Sequence, residues 1–272
     1  MSRAWASAVP QPEPEKVEET VTVLVTGFGP FLSTHPINPS WSIASTLPAT
    51  LPATKTHRTP IQISIHPHPI RVSYKTVISL IPSLLSPSSQ KPGTPTPDIV
   101  LHLGLAAGRK FYALERGAHR DGYDSIPDVD GETFPPETTP PSKSCASTHS
   151  GTAMDMDTDT IPETHSPHAS LPPILNTSFN TAAVLQHCLS LLPDTNYSDV
   201  RLSEDAGNFM CGFIYYNSLA HFYKKANGGE RPVMFLHVPN LPTEEDIKSG
   251  REVACALIRA LVESWRKDGK GK

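Results

Sequence analysis

Apolar positions along this chain follow two periods in alternation. Residues 20–26 (TVTVLVT) form a β-branched run of the kind that builds a buried strand, and Ile61, Ile63 and Ile65 alternate with polar neighbours as in a strand. Between them, Asn38-Pro39-Ser40-Trp41 places an N-capping side chain before a proline suited to the first helical position. Residues 72–85 carry apolar side chains at helical spacing, with a break expected at Pro82. Residues 98–103 (DIVLHL) predict a further strand, and residues 111–118 a strand beside it. Helices are predicted near residues 180–192 and 205–225, a buried strand at residues 233–238 (VMFLHV), and a long last helix from about residue 243 to 266. Strands separated by helices imply an α/β fold with an open, mostly parallel sheet covered on both faces.

Proline punctuates this alternation. The chain has 29 prolines, against about 5% in ordinary usage, and they gather outside the periodic segments. Residues 1–19, with Pro10, Pro12 and Pro14 among glutamates, are expected to form a disordered arm ahead of a single domain over residues 20–268. Residues 86–97 read as a surface connection. A low-complexity insertion is expected at about residues 131–170, where twelve of the twenty residues 131–150 are Pro, Ser or Thr. Its Met154-Asp155-Met156-Asp157 run, with Cys145, His149, His165 and His168 around it, fits no standard metal spacing. Asp128-Val129-Asp130-Gly131 lacks the later ligands of a calcium loop.

Charge and cysteine content narrow the chemistry. A net charge of -4 and a pI near 6.3 give no basic field for nucleic acid. No apolar run approaches the ~18 residues of a membrane span, and residues 1–19 lack the apolar core of a signal peptide, so a cytoplasmic protein is expected. The four cysteines show no CxxC spacing and should be reduced thiols. Gly27-Phe28-Gly29-Pro30 is not a dinucleotide loop, and neither a P-loop nor a GxSxG elbow occurs. No cofactor, metal, nucleic-acid or membrane partner is therefore assigned, and the oligomeric state is left open.

Three reactive side chains fall at the ends of predicted elements. His237 closes an apolar strand, Cys211 lies in Asp205-Ala-Gly-Asn-Phe-Met-Cys-Gly near a helix start, and Glu115 follows Phe111-Tyr-Ala-Leu. Taken singly they read as a core histidine, a small buried hydrophobe and a surface ion-pair partner. Together they supply a nucleophile, a base and an orienting carboxylate.

Four ordered blocks carry a resemblance. Val23-Leu-Val-Thr-Gly-Phe-Gly-Pro-Phe with Asn38-Pro-Ser-Trp41, residues 97–109 (PDIVLHLGLAAGR) with Leu114-Glu115-Arg116, residues 205–211 (DAGNFMC), and Phe235-Leu-His-Val-Pro-Asn-Leu-Pro242 resemble pyroglutamyl peptidase I, peptidase family C15. The resemblance spans most of residues 20–265. It implies a three-layer α/β/α sandwich and a cysteine peptidase that removes an N-terminal pyroglutamyl residue from peptides, with Cys211, His237 and Glu115 catalytic. It also implies a pocket in which Phe28 and Phe31 pack on the lactam ring, with Asn38, Phe209 and Met210 nearby and Ile126 at an apolar position. Ser125 stands where many bacterial members carry an arginine, and the insertion follows just after. Two other classes remain: a catalytically silent pyroglutamyl-peptide-binding relative, and a small-molecule hydrolase or phosphorylase, which would need an anion loop that the chain lacks.

Overall fold

The computed structural model describes residues 18–31, 36–86, 96–134, 168, 170–193 and 199–268. Residues 1–17 of the expected arm and residues 135–167 of the expected insertion, with its metal-like tract, lie outside them. A seven-stranded sheet forms the centre, built from β1 (Val21–Gly27), β2 (Thr50–Leu51), β3 (Ile61–Ile65), β4 (Ile99–Leu105), β5 (Tyr112–Glu115), β8 (Val200–Ser203) and β9 (Val233–Val238). Their order is β2-β3-β1-β4-β9-β5-β8. Four of the six pairings are parallel; β2 with β3 and β5 with β9 are antiparallel. Two short strands, β6 (Gly117–His119) and β7 (Ile174–Asn176), make a separate antiparallel ribbon.

Helices cover both faces of the sheet. On one side lie α1 (Pro39–Ser45), α3 (Thr181–Leu191) and α5 (Glu244–Lys267); on the other, α2 (Tyr74–Leu85) and α4 (Met210–Lys225). The period of two in each strand sorts its side chains between two cores. Met234, Leu236 and Val238 of β9 enter the core under α1, α3 and α5, whereas Val233 and Phe235 enter the one under α2 and α4. All six residues of β9 are buried, which is why that segment reads as apolar sequence interrupted only by His237.

The capping residues do what their types suggest. Asn38 accepts a hydrogen bond from the Ser40 amide at the start of α1, Asn180 caps α3, and Thr243 with Asp246 forms a capping box on α5. α2 has no cap of its own at Ser73. Asp128 supplies one from a distant loop, its Oδ2 accepting from Tyr74 N at 2.9 Å and its Oδ1 accepting from the amides of Asp130 and Glu132. The carboxylate that resembled a calcium ligand is thus committed to backbone.

Three expectations need correction. α2 continues through Pro82 to Leu85, because Pro82 lies on the exposed face of the last turn while Val77, Ile81 and Leu85 hold the buried face. The strand expected at residues 111–118 is split at Arg116 into β5 and β6, and β5 lies beside β9 and β8, not β4. The helix expected near residue 205 begins at Met210: Asp205 Oδ1 accepts from Gly207 N, and Gly207 has φ +84°, so the chain makes a turn before the helix can start.

The described chain breaks off at Phe134 and resumes at His168, and both points rest on α4. The Phe134 ring lies 4.8 Å from that of Phe213, and His168 Nε2 is 2.9 Å from Asn217 Oδ1.

Candidate active site

β4, β9 and β5 lie side by side, and side-chain alternation aims one set from each toward α4. On β9 these are Phe235 and His237. Gly104 of β4 is level with His237, and β5 runs the opposite way, with Glu115 level with Phe235. Glu115 and His237 are therefore diagonal neighbours on one face of an antiparallel pair, a spacing that polar side chains can bridge. His237 Nδ1 lies 2.7 Å from Glu115 Oε1, with Glu115 fully buried and His237 nearly so.

A second donor meets the same oxygen. Arg109, in the turn between β4 and β5, donates from a terminal guanidinium nitrogen to Glu115 Oε1 at 2.7 Å. Ser125, the position set against the family's arginine, is exposed, and sequence reading gave Arg109 no role. Its signal was present but mute: an arginine six residues before a glutamate says nothing until a turn folds one onto the other. Glu115 Oε2 has no hydrogen-bond partner among the described residues, so Oε1 carries both contacts.

Cys211 comes from the facing helix. It is the second residue of α4, inside the first turn, where the expectation had left it further along. Phe209 occupies the N-cap position without a side-chain cap, so the first-turn amides have no partner within the helix. A Cβ added to Gly104 would lie 2.8 Å from Cys211 Sγ and 2.5 Å from the Phe235 ring, which sets the thiol directly against β4 at the level of His237. Gly212 permits the approach of the preceding turn, since a Cβ there would come 1.9 Å from the Gly207 carbonyl oxygen. One helical turn on, Tyr215 donates to the Glu115 backbone carbonyl at 3.0 Å and ties α4 to the strand that carries the carboxylate. A turn further along the helix, Ser218 Oγ meets His102 Nε2 at 2.9 Å, and His102 Nδ1 meets Thr26 Oγ1 at 2.7 Å. Burial holds His102 down to about 3, so this central histidine is a neutral tie between β1, β4 and α4.

His237 is pushed the other way. Burial alone would lower it, but the Cys211 sulfur and the Glu115 carboxylate, by charge and by hydrogen bonding, together raise it to about 9.

The expected pocket residues assemble around this centre in different ways. Phe28 and Met210 are buried in the core beneath α2 and α4, with Phe31, Phe209 and Cys211 packed against it. The rings of Phe31 and Phe209 stand 6.0 Å apart. Ile126 is exposed, its carbonyl accepting from the Tyr74 hydroxyl at 2.9 Å, and Tyr74 meets Phe209 edge-on. Asn38 is buried and fully employed. Its Nδ2 donates to the Gly29 carbonyl, its Oδ1 accepts from Ser40 N and Oγ, and Ser40 Oγ in turn accepts from Phe28 N. Asn38 thus shapes the turn that carries Phe28.

A family model described as pyroglutamyl peptidase matches residues 21–156. The chain is 27% identical over 243 residues to human pyroglutamyl-peptidase 1, covering 89% of this chain and 88% of that protein. It is 27% identical over 226 residues to pyrrolidone-carboxylate peptidase 1 of Ralstonia nicotianae, covering 82% and 80%. Among solved structures, pyrrolidone carboxyl peptidase from Thermococcus litoralis aligns with TM-score 0.63 at 19% identity over 93% of this chain and 98% of that one. The enzyme from Pyrococcus furiosus aligns with TM-score 0.61 at 20% identity over 89% and 99%. These two structures share the fold.

Proposed function

The chain belongs to the pyroglutamyl peptidase family, and on that premise we propose that it hydrolyses the bond after an N-terminal pyroglutamyl residue with Cys211 as nucleophile, His237 as base and Glu115 as the group that orients the imidazole. As a member of the family it is a peptidase, a hydrolase of peptide bonds. The observation that carries the residue assignment is the bond between Glu115 Oε1 and His237 Nδ1 within the sheet, with the Cys211 sulfur held against the neighbouring strand at the same level.

With Nδ1 committed to Glu115, Nε2 of His237 is the nitrogen left for the thiol. It takes the Cys211 proton, and Sγ attacks the pyroglutamyl carbonyl carbon. The oxyanion that forms is stabilised by amides of the first turn of α4, which have no partner within the helix. Protonated His237 then delivers its proton to the departing amine, the C–N bond breaks, and a thioester remains. Water, deprotonated by His237, attacks the thioester and releases pyroglutamate and the thiol. The steps use only these side chains and backbone groups.

Substrate recognition follows from the same geometry. A pyroglutamyl residue has no free α-amine, so an anionic pocket would have nothing to hold. Phe31, Phe209 and Ile126 offer flat and branched apolar surface for the lactam ring, backed by Phe28 and Met210, while Asn38 fixes the turn. Arg109, acting through Glu115, is a positioning residue that holds the carboxylate in place. No helix among the described residues is long and apolar enough to cross a membrane. The nucleophile must stay a free thiol, which favours a reducing compartment such as the cytoplasm.

The deciding experiment is release of a fluorescent amine from a pyroglutamyl amide under reducing conditions by the native chain and by Cys211→Ala. Turnover by the native chain that disappears in the variant supports the assignment. A folded native chain that binds the substrate without turning it over would instead be the silent relative.

A further inference from the structure

A second cluster of metal-ligating side chains stands apart from Cys211. His57 lies in the loop between β2 and β3, His187 in α3, and Glu263 near the end of α5. His57 Nδ1 is 3.3 Å and His187 Nε2 is 3.2 Å from the same atom, Glu263 Oε2, and all three donor atoms fall within 4.8 Å of one another. The two imidazole rings stack at 5.5 Å with 29° between their planes. We propose that His57, His187 and Glu263 form a binding site for a divalent transition-metal ion of the zinc class, with solvent completing its coordination.

Spacing is the first support. Donors bound at ~2.0–2.1 Å in a tetrahedral shell lie roughly 3.3–3.4 Å apart, close to the two nitrogen-to-oxygen separations here. Two imidazoles and one carboxylate suit zinc, copper or nickel, not calcium or magnesium. The surroundings fix the donors. Lys267 Nζ sits 2.9 Å from Glu263 Oε1, which engages that oxygen and leaves Oε2 for the ion. His57 is held in a local turn, its amide donating to Thr54 Oγ1 at 3.0 Å and its carbonyl accepting from Thr54 N at 2.7 Å. Arg58, Arg259 and Arg266 line the same recess, with Arg259 donating to the Pro52 carbonyl and Arg266 to that of Glu19. Their charge makes the site weaker than a closed four-ligand one. Because the three donors come from segments far apart in sequence, no motif spacing announced them.

The site's place in the fold sets its role. α5 starts directly after β9, at the end of the sheet where His237 lies, and runs back along it. At 1.5 Å per residue, Glu263 is on the order of 30 Å from the helix start. An ion there would pin the β2–β3 loop to α3 and α5 and stabilise the fold by mass action, without touching the reacting atoms.

The test uses the full chain carrying Cys211→Ala, so that no sulfur beside His237 competes, stripped with a chelator and titrated with zinc chloride by calorimetry. One equivalent is expected to bind and to raise Tm, and both effects should vanish in the added His187→Gln and Glu263→Gln variants. Cobalt chloride should give the visible bands of a four-coordinate nitrogen and oxygen site without a thiolate charge-transfer band. His187→Gln in the otherwise native chain should keep its peptidase activity, which verifies folding; should it not fold, His57→Gln serves the same purpose. Absence of binding, equal binding in the Gln variants, or a cobalt–thiolate band would overturn the site and leave an ordinary histidine–carboxylate cluster.

Discussion

The sulfur of Cys211 lies where position 104 has no side chain: a Cβ on Gly104 would approach it to 2.8 Å. Gly104 is fixed in a fully buried strand, with its partner His237 level on β9, so the crowding cannot be relieved by backbone movement. Gly104→Ala should displace the thiol and the Phe235 ring together. The expected outcome is a loss of kcat of about a hundredfold, the scale of a 1 Å misplacement, with a stability cost of about 1–3 kcal/mol from overpacking. Steady-state kinetics and urea unfolding on the same preparation read the two effects separately.

Glu115 holds the imidazole and Arg109 holds Glu115, so the two should differ in severity. Glu115→Gln should lower kcat by on the order of a thousandfold, since an amide cannot both accept from His237 and balance its charge. Arg109→Met should cost about tenfold, because its charge-assisted bond is partly exposed and screened. Both losses should fall mainly on kcat, with KM little changed; a loss confined to KM in either variant would contradict the positioning role.

His237, raised to about 9, keeps at neutral pH the proton it takes from Cys211. The leaving amine needs that proton, so kcat/KM should fall as pH rises through about 9. The stability sign is the same: a raised folded value means that protonation favours the fold. The contribution is therefore complete below the ordinary imidazole value near 6.5 and lost as pH passes about 9. Nuclear magnetic resonance titration should place the His237 ring near 9 in the native chain and lower in Cys211→Ala, where one of the raising groups is gone. An unchanged value in that variant would rule out the contact with sulfur.

Asp128→Ala removes the acceptor of three backbone amides, one of which opens α2. A cap and two turn bonds together are worth about 3 kcal/mol, which in a chain of this size lowers Tm by about 6–12 °C. The loop carrying Ile126 is moored by the same carboxylate, so KM should rise while kcat below the new Tm stays near native. Thermal unfolding followed by kinetics at low temperature checks both.

Long elements with one dominant period were legible in the sequence. β9 and α5 were read within a residue or two because each presents strong evidence: five apolar residues out of six in one case, and a capping box with a long amphipathic face in the other. β2, β7 and β8 are two to four residues long, too short to show a period, and exist because the sheet and ribbon supply partners. The start of α4 was misread because Asp205 looks like a cap but closes a turn at Gly207 instead. In the site, Glu115 and His237 were legible as chemical types at strand ends. Arg109 and Gly104 were not, since one matters through a folded turn and the other through the side chain it lacks.

The points where the described chain breaks off and resumes after β6 rest on neighbouring turns of one helix, Phe134 on Phe213 and His168 beside Asn217. Two residues far apart in sequence therefore share nearly the same address on α4, the helix that brings Cys211 to the level of His237. A change at either anchor bears on that helix, and through it on where the thiol stands.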